Sequence, residues 1–216
     1  MMELNEARIR LEALEKKADW EGIIALMQDD VSLYADPRYA ALMFDEAIYI
    51  YSEVYGQDMG DGLRSYLVPF YESGVKLYLI LRDHYSEDAY CLWRLGECLN
   101  GGPGYCLFLD NDLVQSSNGW LDKTLFYLEK SLKIKDSKLV QMEYNEARYF
   151  YDINVRKIHE PDYRYLTKKE RLEAEQELKA LNLSNTWGES MLRDYYEDLI
   201  KKSQYEEANR SKDSDG

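Results

Sequence analysis

The chain has 216 residues, 45% of them apolar, and a formal charge of −14 from 41 acids against 27 bases. That apolar share supports a packed core without disulfides or metal, and the acidity excludes the basic footprint that nucleic acid and anionic membranes select. No apolar run reaches bilayer length, the start MMELNEARIR is not a secretory signal, and three cysteines (Cys91, Cys98, Cys106) cannot all pair within one chain. A cytoplasmic protein with buried thiols is the expectation.

Apolar residues recur at helical spacing almost throughout. Leu4, Ala7, Leu11, Leu14 and Ala18 predict a first helix over 3–17. Asp19 is placed to cap a second, carrying Ile23, Ile24, Leu26 and Met27 and ending between 29 and 34. Asp36 and Pro37 open a third, with Ala40, Phe44, Ala47, Tyr51 and Tyr55 on one face and Gly56 at its end.

The fourth stripe, Leu63 to Leu81, contains Pro69, which removes a backbone donor and predicts a kink or break near 65–69. Ser86 is the expected cap of a fifth helix running to about Leu99. Residues 100–118 form the longest irregular stretch, and a sixth helix follows over 120–134. Val140, Tyr144, Ala147, Tyr151, Val155 and Ile158 predict a seventh, ended by Pro161. Thr167 with Glu170 makes a capping box for an eighth to about 182, and a ninth covers 188–207. The chain reads as one all-helical domain over 1–210, in antiparallel pairs, with 211–216 a disordered polar tail.

"AYCLWRLGECLNGGPGY", followed by "NGWLDKTLFYLEKSLKI", resembles a tetratricopeptide-type helix pair, and more closely its Sel1-like variant. Leu95 and Gly96 stand at that family's Leu-Gly pair. Gly101, Gly102 and Gly104 stand at its turn. Lys123, Thr124, Tyr127, Leu128, Lys130 and Ser131 stand on its second helix, with Thr124 and Ser131 where the family uses alanine. About sixteen extra residues separate the two helices. "ADWEGIIALM" at 18–27 resembles a second unit more weakly. The resemblance implies an α-solenoid or compact α-α superhelix that binds proteins or peptides.

The glycines of 101–104 follow a helix and precede no GK[ST], so they read as a helix stop and turn rather than a phosphate cradle. His84 and His159 lack metal-ligand spacing. Asp110 and Asp112 match only the first positions of a calcium loop, without its Gly and distal Glu, and read as loop acids. Glu143 and Glu146, with Glu173, Glu175 and Glu177, read as a solvated face. No catalytic, cofactor or metal site is expected.

Twenty tyrosines suit half-buried helix faces and interfaces. The expected partner surface is an acidic groove beside 100–118, carrying Trp93, Tyr105, Phe108, Asp110, Asp112, Trp120 and Tyr127. The expected partner is a basic protein or peptide. An alternative is an acidic immunity protein masking a basic toxin.

Overall fold

The computed structural model describes residues 3–28, 36–56, 61–100 and 119–213. Among these there are nine helices and no strand. They are α1 (Leu4–Glu15), α2 (Trp20–Gln28), α3 (Pro37–Gly56), α4 (Asp61–His84), α5 (Ala89–Asn100), α6 (Gly119–Ile134), α7 (Lys138–Asn154), α8 (Lys168–Ala180) and α9 (Trp187–Asp213).

The helices pack as antiparallel neighbours. In the α3–α4 pair, Phe44 meets Tyr78, Tyr51 meets Tyr71, and a Cβ on Gly74 would touch Ile48. In the α5–α6 pair, the Ser131 hydroxyl donates to the Ala89 carbonyl at 2.7 Å, while Gly96 lies against Leu128. A Cβ on Gly96 would stand 2.6 Å from Leu128 Cδ2. Thr124 and Ser131 are also buried. The small residues singled out in the sequence are therefore the ones that let these two helices approach closely.

Eight of the twelve residues of α5 are buried. Leu92, Leu95 and Leu99 join the core built on α1–α4, whereas Trp93 joins the core built on α6–α9. This helix ties the two halves of the interior together.

Several helix ends differ from expectation. α4 continues through Pro69 without a break. Proline deprives the Ser65 carbonyl of its helical donor, but Ser65 is exposed, so water can reach the carbonyl. The cap of α5 is Asp88, not Ser86: the Asp88 carboxylate accepts the Cys91 N–H at 2.9 Å. α7 stops at Asn154 rather than running on to Ile158. There the Val155 and Arg156 N–H groups both turn back to the Tyr151 carbonyl, and Lys157 takes a φ of 58°. α9 runs to Asp213, past the expected end at 207 and into the segment read as a tail. The capping box at Thr167 and Glu170 is present as predicted.

α9 sets the architecture. It packs mainly on α3 and α8, and single side chains of α1, α5 and α7 reach it. Arg8 of α1 binds Glu189 at 2.5 Å, and α3 packs tightly on the helix's first turn. Trp93 of α5 stacks edge-on against Tyr196. Glu146 of α7 accepts the Tyr195 hydroxyl at 2.7 Å, and Glu175 of α8 meets Gln204. Gly188 is required at the crossing with α3, since a Cβ there would lie 2.9 Å from the backbone at Asp45 and Glu46.

Candidate functional site

The N-terminus of α9 is held by carboxyls from α1 and α3. Glu12 accepts the Asn185 N–H at 3.0 Å, Glu15 that of Trp187 at 3.1 Å, and Glu46 that of Gly188 at 2.9 Å. Glu189 reaches back to the Ser184 N–H at 2.7 Å. These acceptors satisfy backbone donors that a helix leaves open at its start, and the helix dipole favours negative charge there. Glu15 and Glu46 are both buried. Burial pushes both carboxyls above the usual range.

Beside this docking point lies a cavity of about 320 Å³ between α3, α5, α7 and α9. Its floor is Phe44, Asp45, Arg94, Cys98 and Glu143, all buried, with Gly188. Ile48, Tyr49, Glu97, Met191 and Tyr195 are at least partly exposed and form the rim. The size and mixture, apolar walls with a few converging polar groups, suit a binding pocket.

One guanidinium serves two carboxylates here. Arg94 Nε donates to both oxygens of Asp45, at 3.1 and 2.9 Å, and Nη2 donates to Glu97 at 3.0 Å. Nη1 is buried with no acceptor. Desolvation lifts the Asp45 carboxyl to about 7 against the pull of Arg94. Arg94 stays charged, because its two carboxylates outweigh the cost of its burial.

Glu143 takes no part in that ion pair. The Trp93 indole donates to the Tyr196 hydroxyl at 2.7 Å, and the Tyr196 hydroxyl donates to Glu143 at 2.9 Å. The Asn100 amide supplies a further hydrogen bond to Glu143. Desolvation, with the nearby charges of Glu97 and Glu146, raises the Glu143 carboxyl to about 8. It is therefore mostly protonated at neutral pH. The protonated acid needs an acceptor, and Asn100 Oδ1 is buried without a partner. Turning the Asn100 amide over lets the Glu143 O–H donate to that oxygen.

The expected partner residues are distributed differently. Trp93 and Tyr127 are each 3% exposed, and both are engaged in packing. Trp93 lies against Tyr90 and Tyr196, and the Tyr127 hydroxyl sits 3.2 Å from that of Tyr78 in the first core. A partner cannot reach either without opening the helix pairs, so both leave the expected surface. Trp120 is half-buried at the start of α6, where its carbonyl accepts the Thr124 hydroxyl at 2.8 Å. Tyr105, Phe108, Asp110 and Asp112, and the glycines of 101–104, lie outside the described residues.

Glu143, read from the sequence as part of a solvated face, is fully buried. The signal was present in its spacing: Leu139, Glu143 and Ala147 fall at steps of four on one buried stripe. Arg94 sits inside the apolar run CLWRLG, and Asp45 and Glu46 lie between Phe44 and Ala47 on the stripe of α3. Charge at a core position was the clue in each case. Glu177 is half-buried and does more than face solvent: it accepts the Ser137 hydroxyl at 2.6 Å and the Lys138 N–H at 3.0 Å at the start of α7.

Among the described residues, no helix is long and apolar enough to cross a membrane. No family model, curated protein or solved structure matches the chain.

Proposed function

We propose that the chain is a non-catalytic interaction module, a tetratricopeptide/Sel1-like helical-repeat protein that binds a basic protein or peptide. The observation that supports this most is α9 itself. Side chains of α1, α3, α5 and α7 hold it through carboxyls, an aromatic edge and a glycine crossing, and α8 packs beside it. A scaffold of this kind recognises a helix or peptide with the same chemistry. Because α9 covers the faces of α3 and α8 that it packs on, the partner engages what remains open around it, chiefly Glu97 on the cavity rim and the exposed acids. The net charge of −14 supplies long-range attraction for a basic surface.

Capture on the immobilised full-length chain tests this reading. The expected result is a basic protein that is retained at low salt and released at high salt. Retention of an acidic partner, unaffected by salt, would overturn it. The same acidity fits a second reading, an inhibitor that masks a basic toxin, which capture of a toxin domain would select.

A further inference from the structure

A separate pocket of about 170 Å³ lies where the starts of α3, α5 and α7 meet the ends of α6 and α8. Two cations line it: Arg38, near the start of α3, and Lys135, just past the end of α6. One acid, Glu177, lines it as well. In a chain with 41 acids and 27 bases, neither cation has a carboxylate partner among the described residues. Asp136, beside Lys135 in the chain, pairs with Lys138 instead. Glu177 is already engaged at the start of α7, where it accepts from the Ser137 hydroxyl and from the Lys138 and Leu139 N–H groups.

Both cations can be reached from solvent. Lys135 is exposed, and Arg38 is half-buried with no side-chain nitrogen among the sealed, unpaired polar atoms. The central carbon of the Arg38 guanidinium lies 3.6 Å from the centroid of the Tyr90 ring. That contact uses the flat face of the guanidinium and holds its plane, which leaves the N–H edge set for a planar acceptor. The walls open to a ligand are apolar: Ala89 and Tyr90 of α5, Ala180 of α8 and Leu181 at its end are half-buried or exposed.

We infer that this pocket binds a small apolar monocarboxylate. Its carboxylate lies in the fork of Arg38 with the Lys135 ammonium beside it, and its body packs against Tyr90, Ala180 and Leu181. The charges of the lining residues sum to one positive, which a single carboxylate neutralises. A guanidinium edge matches the two oxygens of a carboxylate. The space is close to the cavity of about 150 Å³ that takes one benzene molecule, which sets the size of the body. A bare anion such as acetate leaves the apolar walls wet, and an organic cation meets two like charges. This inference goes beyond the reading of the chain as an interaction module and does not depend on it.

The test is an NMR titration of the full-length, nitrogen-15-labelled chain with sodium benzoate at pH 7. The expected result is saturable shifts of the Tyr90, Ala180 and Leu181 amides. Binding should be about tenfold tighter than for benzamide, which has the same shape without the charge. It should exceed that of acetate by a similar factor. Arg38→Gln should weaken binding about tenfold and the exposed Lys135→Gln by less, both with an unchanged circular dichroism spectrum. Equal affinity for benzamide overturns the carboxylate assignment. Equal affinity for acetate overturns the role of the apolar walls. Undiminished binding by both variants overturns the role of the two cations, and absence of saturable shifts at these amides overturns the inference as a whole. The module reading fails separately, if no basic protein is captured by the same chain.

Discussion

Replacing Glu143 by Gln should make the protein more stable at pH 8 and leave it little changed at pH 5. Glu143 is fully buried, and its carboxyl is raised from 4.5 to about 8. A carboxyl whose folded value lies above its unfolded one stabilises the fold fully below the unfolded value. That contribution is lost as pH rises toward the folded value, because the unfolded chain ionises while the folded one resists. At about 1.36 kcal/mol per pH unit, the gap sets a ceiling of about 5 kcal/mol. Relaxation and water entry at a real buried site reduce this to about 2–3 kcal/mol.

Glutamine mimics the protonated acid. Its carbonyl can accept the Tyr196 hydroxyl and its amide can donate to Asn100 Oδ1, so the variant carries no ionisation cost. Urea unfolding of both proteins at pH 5 and pH 8 measures the effect. The expected outcome is a gain of about 2 kcal/mol for Glu143→Gln at pH 8. Equal loss of stability between the two pH values in wild type and variant would refute the buried, protonated acid.

Other substitutions probe the packing. Gly96→Leu should cost about 1–3 kcal/mol in thermal or urea melts, because even its Cβ would press on Leu128; an unchanged melt would contradict the close α5–α6 approach. Gly188→Ala should cost about 2 kcal/mol and increase hydrogen exchange in α9, since the added Cβ meets backbone of α3 rather than a flexible side chain. Thr167→Ala removes one half of the capping box and should cost about 1 kcal/mol, read by urea unfolding.

Local order was legible because it depends on neighbours in sequence. The stripes gave the helices, Thr167 with Glu170 gave a helix start, and Gly96, Thr124 and Ser131 gave the contact face of one pair. The course of α9 was not legible. Trp187, Leu192 and Tyr196 mark an amphipathic helix, but nothing in their spacing says that Trp187 will donate its N–H to Glu15, 172 positions away. The site was missed for a related reason. An acid on a helix is ordinarily solvated, and Glu143 becomes a core residue only once Tyr196 and Asn100 arrive from other elements. Some of the tyrosines serve packing: Tyr39, Tyr78 and Tyr196 are among the largest fully buried side chains.

Under the proposed function, this acidic helical module recruits a basic protein through long-range charge. The association rate of the captured partner, followed by stopped flow across a salt series, tests it most directly. Raising ionic strength from 0.1 to 1 M shortens the screening length from about 10 to about 3 Å. The association rate should then fall by about tenfold or more while the helical signal of the chain is unchanged. A rate indifferent to salt would contradict the claim.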